Sequence, residues 1–239
     1  MNSTIAVITF RAMLGRRRAL LLLALPLMLV VMAVALRITG NDDLDVSANV
    51  LQRFGLATLL PLLALIAGTG VIGPEIDDGQ IMYVLTKPIP RPVIVLTKLA
   101  VAIVLVWAFA AVPTLLSGMI LSAGGTEGMG PAFTVGVLVG GVAYSAVFVA
   151  LAVVSRNAVT IGLLYALVWE TLLGNFAPGA KSASIQQWAL SVTDTLTGAT
   201  AVKSTVDLAV AVPLLVAVTV AGTLLAAVRL RSLSVASAE

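Results

Sequence analysis

Residues 132–154 read AFTVGVLVGGVAYSAVFVALAVV, and no residue in that run carries a charge. About 20 apolar residues in a helix cross a hydrocarbon core about 30 Å thick. The run is too long for a buried strand, and it lacks the period-two alternation of a strand or a membrane barrel wall. Working outward, five more runs share its character, over residues 19–36, 54–73, 93–121, 158–176 and 208–228. The third is long enough to tilt or to extend into the cytosol. The expectation is an all-α membrane protein with six transmembrane helices.

Composition agrees. Of 239 residues, 60% are hydrophobic and 10% charged, and the mean hydropathy is +1.11. Soluble domains run at about 45–50% apolar and about 25% charged. An ordinary cytosolic enzyme and a disordered chain are both excluded. There is no His and no Cys. Disulfides, thiolate or imidazole metal sites, thiol nucleophiles and Ser-His-Asp triads are therefore excluded together. Carboxylate metal sites stay open, but none is indicated, and no catalytic residue stands out. The net charge is +3 and the pI about 9.6. Because the basic residues flank apolar runs, they read as membrane anchors and not as a nucleic-acid surface.

The basic residues also set the orientation. With the N-terminus inside, Arg11, Arg16, Arg17, Arg18, Lys87, Arg91, Lys98, Arg156, Arg229 and Arg231 are cytosolic, ten of the 14 Lys and Arg. Arg37, Arg53, Lys181 and Lys203 fall outside. Asp42, Asp43, Asp45, Glu127, Asp194 and Asp207 also lie outside, against Glu75, Asp77, Asp78 and Glu239 inside. The positive-inside rule places both termini in the cytoplasm. Arg16-Arg17-Arg18, the apolar run and Ala33-Val34-Ala35 imitate a secretory signal. The run is longer than a usual signal core and five spans follow, so it reads as an uncleaved first span.

Ahead of it, a helix would place Val7, Phe10, Met13 and Leu14 on one face, with Arg11 and Arg18 opposite. Residues 1–18 read as an interfacial helix, or alternatively as a frayed basic tail. Residues 19–239 form one transmembrane domain. Residues 39–52 read as a solvated acidic outer loop. Ser155-Arg156-Asn157 reads as a tight turn joining spans four and five. The cytosolic connection 74–92 gathers acids, a Gly break, the apolar stretch Ile81-Met82-Tyr83-Val84-Leu85 and a Pro-rich basic end. Pro88, Pro90 and Pro92 hold the preceding residues extended. The expected shape is a short helix and a stiff strap, a surface on which a soluble partner can push. In the outer connection 177–207, Ile185, Trp188, Ala189, Val192 and Leu196 share one helix face. An amphipathic or re-entrant helix is expected there.

Three motifs are decoys. Gly68-Thr69-Gly70-Val71-Ile72-Gly73 matches G-x-G-x-x-G but ends a span with no βαβ unit around it. Its small residues, like Gly136 and Gly140, suit close helix approach. Gly174…Gly179-Ala180-Lys181-Ser182 nearly spells a P-loop, but Ala180 separates Gly from Lys. Glu170 stands apart as the one carboxylate well inside a span. Such residues face a bundle interior or a water-filled cavity. It is a candidate for a translocation path, or a structural group bonded to Arg37, Arg53, Lys181 or backbone. Pro26, Pro61, Pro113 and Pro213 lie within spans, where they can kink helices and free backbone groups.

The stretch Glu75-Ile76-Asp77-Asp78-Gly79-Gln80…Leu85-Thr86-Lys87-Pro88-Ile89-Pro90-Arg91…Lys98 resembles the ABC-2 type transporter permeases. In that family an acidic turn ending in Gly-Thr precedes a short apolar helix, a strap of the form (S/K)-P-(I/V)-x-R and a Lys opening the next span. Glu75, Gly79, Pro88, Arg91 and Lys98 fall on those positions, and Gln80 stands where Thr is usual. Tyr165…Trp169-Glu170…Gly174…Pro178-Gly179…Ser184-Ile185 is similar to a pattern in small bacterial permeases of this type. The resemblance implies a permease subunit of an ATP-driven bacterial exporter in the inner membrane. It implies pairing with a second permease subunit, identical or not, and docking of separate ABC ATPase subunits that bind ATP and Mg. Glu75, Asp77, Asp78, Gly79, Tyr83, Lys87 and Arg91 would then couple to the ATPase, with residues 75–85 as coupling helix. Arg11, Arg16, Arg17 and Arg18 would belong to an elbow helix on the membrane surface. This chain itself would bind no cofactor and would not be an enzyme.

A channel or secondary transporter without ATP is the alternative, although no clear repeat relates spans 1–3 to 4–6. A Ser-Lys intramembrane protease would need both residues at membrane depth, where this chain has no Lys. A scaffold would not need a coupling segment. The Ala, Val and Leu-rich spans suit an amphipathic or hydrophobic cargo such as a drug, peptide or lipid.

Overall fold

The computed structural model describes residues 3–41, 43–77, 90–122, 128–173, 182–197 and 202–232, all helix or short connection. Helix α1 (Ser3–Met13) is followed by α2 (Arg16–Thr39). Next, α3 (Leu44–Val50) runs through π-helical Leu51–Leu59 into α4 (Leu60–Gly70), and the short α5 (Gly73–Asp77) follows. Helix α6 (Arg91–Val106) passes through π-helical Trp107–Ala111 into α7 (Val112–Ser122). After α8 (Met129–Val154) come α9 (Ala158–Leu164) and π-helical Tyr165–Leu173. Helices α10 (Ile185–Thr197) and α11 (Leu208–Ser232) complete the bundle.

Among the described residues, five helices are long and apolar enough to cross a membrane: Leu22–Thr39, Leu44–Ile76, Arg91–Leu121, Met129–Val154 and Leu208–Leu230. The expected fifth span is shorter among the described residues, an apolar helix over Ala158–Glu170. The second span begins earlier than expected. Residues 44–50, expected in the acidic outer loop, are helical, and Ser47 and Ala48 are buried. Asp43 and Asp45 sit at that helix's N-terminus, where carboxylates favour the positive end of the macrodipole. The tight turn at Ser155-Arg156-Asn157 is present and joins α8 to α9.

Helix α8 is the hub, packing on α4, α6, α7, α9, α10 and α11. The peripheral helices α2 and α11 bury only one stripe each. In α2 it is Leu22, Leu29 and Ala33, while Leu23, Leu27, Met28 and Val31 are exposed. In α11 it is Ala211, Leu215, Ala226 and Leu230. These steps follow the 3.6-residue period, so one side of each helix packs on protein and the other is left for lipid.

Lipid removes the hydrophobic drive between helices, so close van der Waals contact carries the packing. Glycines provide it. Gly68 faces Phe148, Gly118 meets the Gly130 backbone, and Gly136 and Gly140 accept Thr193 and Ala189 of α10. Two of the four span prolines coincide with widened turns. Pro61 follows π-helical Leu51–Leu59, and Pro113 follows π-helical Trp107–Ala111. A proline cannot donate to the carbonyl four residues back, and a π turn is one way for a helix to absorb the break. Near these turns the Thr114 hydroxyl donates to the Ala110 carbonyl at 2.7 Å, and that of Thr58 to the Arg53 carbonyl at 2.9 Å.

Helix α1 forms, and the strip it packs on protein lies beside the expected interfacial face and shares Met13 with it. Thr9 and Met13 are buried, and Ile5 and Ala6 are half-buried. Val7, Ile8, Phe10 and Leu14 are exposed. Apolar residues cover more than half of this helix. One strip packs on α6, which leaves the expected strip free for the membrane interface. Arg16, Arg17 and Arg18 open α2 and do not extend α1.

A Cβ built on Gly68 would lie 2.7 Å from Phe148 Cβ, whereas one on Gly73 meets nothing within 4 Å. Gly68→Ala should therefore lower the thermal midpoint in detergent, with an overpacking cost of about 1–3 kcal/mol. Gly73→Ala should leave the midpoint within error of the parent.

Candidate functional site

Two polar clusters interrupt the apolar bundle. The first joins the end of α4 to the base of α6. Val71 follows the last turn of α4, where helix carbonyls have no partner within the helix and the dipole is negative. Lys98, about two turns into α6, is only 1% exposed. Its Nζ donates to the Val71 carbonyl at 2.6 Å and to Glu75 Oε1 at 2.6 Å. The Glu75 side chain, on α5, is 26% exposed. Its Oε2 is buried without a hydrogen-bond partner among the described residues.

One lysine thus ties together three consecutive elements. The sequence placed Glu75 on the coupling surface; the fold turns it inward onto Lys98. Arg91, first residue of α6, reaches the Leu230 carbonyl at the C-terminal end of α11 at 3.5 Å. That is again a cation at the negative end of a helix. Arg91 and Lys98 together link α4, α5, α6 and α11 at one end of the bundle. Asp77 closes α5, and its side chain lies outside the described residues, as do Asp78, Gly79, Tyr83 and Lys87. Arg11 is exposed on α1. Arg16, Arg17 and Arg18 occupy the first turn of α2, and their side chains also fall outside the described residues.

The second cluster lies near the opposite end of the bundle. Glu170, in π-helical Tyr165–Leu173, is 1% exposed. The wide π turn sets Tyr165 and Glu170 within reach across five residues, and Tyr165 Oη donates to Glu170 Oε1 at 3.0 Å. Ser184 Oγ donates to Glu170 Oε2. The same Ser184 oxygen accepts the Gln187 backbone N–H at 3.4 Å, the geometry of an N-cap on α10. The carboxylate therefore sits at the positive end of the α10 dipole. The buried Tyr144 hydroxyl of α8 lies within electrostatic reach of Glu170 and has no well-aligned partner. The expected alternatives for Glu170 were Arg37, Arg53, Lys181 or backbone. Its described partners are hydroxyls instead, and Lys181 lies outside the described residues.

Helix α10 is more deeply set than an amphipathic cap. Ile185, Trp188 and Ala189 of the expected face are buried, and Gln186, Leu190, Ser191 and Thr193 are buried as well, while Leu196 is exposed. It packs on α8, α11 and π-helical Leu51–Leu59. The Trp188 indole donates to the Ser182 carbonyl at 2.8 Å.

Composition and periodicity did not single out Lys98, Tyr165 or Ser184. Each nevertheless stands in one of the two family-like patterns, which was the one signal available. Among the described residues, no group of three or more carboxylates gathers as a metal site.

A family model described as ABC-2 family transporter protein matches residues 14–177, most of the chain and both charged members of the Lys98 cluster. Comparison with curated proteins finds no match.

The two ends of the ion pair are not equivalent. Glu75→Ala strands a buried ammonium, a loss on the order of 3 kcal/mol. Lys98→Met leaves a carboxylate on a side chain that is 26% exposed and can turn toward solvent, and should cost less. Thermal midpoints of both variants in one detergent check this order. Ser184→Ala removes a donor to Glu170 and the α10 cap together, and should lower the midpoint by about 1–2 kcal/mol.

Proposed function

The chain belongs to the ABC-2 transporter family and is a permease subunit of an ABC transporter; on that premise we propose that it works in an ATP-driven exporter. Two permease subunits pair, and each docks a separate ABC ATPase on the segment 74–92. ATP and Mg bind to the ATPase, and this chain binds no cofactor. Six spans, completed by residues 158–176, put both termini in the cytoplasm of a bacterial cell, in the inner membrane. Arg11, Arg16, Arg17 and Arg18 hold the N-terminal region to the membrane surface.

The observation that carries this reading is the Lys98 clamp. A docking segment transmits force only if it is fixed to the helices it must move. Lys98 binds both Glu75 and the Val71 carbonyl at 2.6 Å, so a push on α5 reaches α4 and α6 together. Arg91 extends that connection to α11. Closure of the ATPase pair displaces the inner ends of these helices and changes access for an amphipathic or hydrophobic cargo. At the other end, Glu170 holds α10 in place through Ser184 and acts as an anchor of the outer face, not as a wall of the path.

The direct experiment is purification of the tagged chain in mild detergent, with mass spectrometry of what co-elutes. A stoichiometric ATPase is expected. Asp77→Lys with Asp78→Lys should reduce its recovery several-fold while the chain stays monodisperse. Lys98→Met should keep the ATPase bound but lower cargo-stimulated ATP turnover. A chain that emerges alone, under conditions that preserve ABC complexes, would instead favour an ATP-independent channel or carrier.

A further inference from the structure

At the same end of the bundle as the Lys98 clamp, a groove of about 460 Å³ runs between α2, α4 and α9. That volume lies within the range of small-molecule sites, about 300–1,000 Å³. Its walls are aliphatic: Leu25, Leu62, Leu65, Ile66 and Leu163. Its lining continues to Gly73 and Pro74, at the start of α5. The groove opens on the lipid-facing side, where Val159 is 60% and Leu163 41% exposed.

One charged side chain lines it, Arg156 in the turn between α8 and α9. Its neighbours at this end are engaged. Lys98 holds Glu75 and the Val71 carbonyl, and Arg91 reaches the Leu230 carbonyl. Arg156 makes no ion pair or side-chain hydrogen bond among the described residues. Glu75, the nearby described acid, is already neutralised by Lys98. An exposed guanidinium thus stands over an aliphatic groove, in a chain only 10% charged.

We propose that this groove is a binding site for an anionic lipid, with its acidic headgroup on Arg156 and an acyl chain between α4 and α9. A guanidinium presents a planar fork of donors that matches phosphate oxygens in pairs. The aliphatic walls take the chain, and the lateral opening admits it from the bilayer without a path through water. A zwitterionic lipid fills the groove equally well but offers Arg156 a weaker net charge. The bound chain rests against Gly70 and Gly73, so it becomes part of the surface that supports α5. The inference stands on the groove and Arg156 and needs no ATPase.

The test uses the full chain in phosphatidylcholine nanodiscs doped with a phosphatidylglycerol that carries a photoreactive diazirine in its acyl chain. Labelled residues are mapped by mass spectrometry after illumination. Label should concentrate on Leu62, Leu65 and Leu163 in excess of the exposed α11 residues Val216 and Leu224. Arg156→Gln should reduce groove labelling about fivefold, the factor for about 1 kcal/mol per basic side chain at an anionic surface. Labelling of α11 should not change, and Arg156→Lys, which keeps the charge but not the fork, should fall between the parent and Arg156→Gln. Leu163→Trp, which fills the groove with Arg156 intact, should also remove the groove label. Equal groove labelling by a diazirine phosphatidylcholine, or no effect of Arg156→Gln, would overturn the proposal. So would an unlabelled groove in which a cysteine placed at position 163 cross-links to a second copy.

Discussion

A lysine ammonium with almost no access to solvent must find its counter-charge inside the protein. Lys98 meets that constraint by drawing in Glu75 and the terminal carbonyl region of α4. The end of one span, the short helix after it and the base of the next span are thereby held as one unit. Without that bond, α5 would keep only its packing on α4 and α8. With it, a displacement of the segment becomes a displacement of two spans. The same rule, a cation at the negative end of a helix, recurs where Arg91 meets the end of α11.

The rest of the bundle is organised by the absence of a hydrophobic drive in lipid. Helices gain by approaching closely, and α8 approaches its neighbours through glycines. Phe148 fills the space beside Gly68, and Ala189 and Thr193 fill the space beside Gly140 and Gly136. Ahead of Pro61 and Pro113, π turns absorb the break in the helical ladder. A third π stretch has no proline of its own. It turns Glu170 toward Tyr165 and Ser184 and fastens α10 to that end of the bundle. The two polar clusters therefore hold opposite ends of the bundle, one fixing the short helix α5 and one fixing α10.

Much of the candidate site was present in the sequence as pattern and absent as geometry. Glu75 and Lys98 both stood in the first family-like stretch, yet their separation along the chain gave no reason to pair them. Tyr165, Glu170 and Ser184 stood in the second, but a regular α-helix does not align residues five apart, and the π turn was not legible. The acidic residues before the second span looked like a solvated loop, because charge density resembles a loop and an N-terminal helical turn equally. The N-terminal helix was legible as a helix. Its buried face was not, because two apolar strips compete and only the position of α6 chooses between them.

The sequence by itself determined that this chain is helical and lies in a membrane, since long uncharged runs have no other way to satisfy their backbone in lipid. It determined the tight turn between α8 and α9 and the glycine faces that let helices meet. It also carried the motif by which the family is recognised. Only the tertiary structure decided which charges became internal ties and which stayed open. Burial and pairing depend on what the neighbouring helices bring into a space of a few ångströms. Lys98 was closed off by α4 and α5, while Arg156, equally basic, was left standing at the edge of a groove.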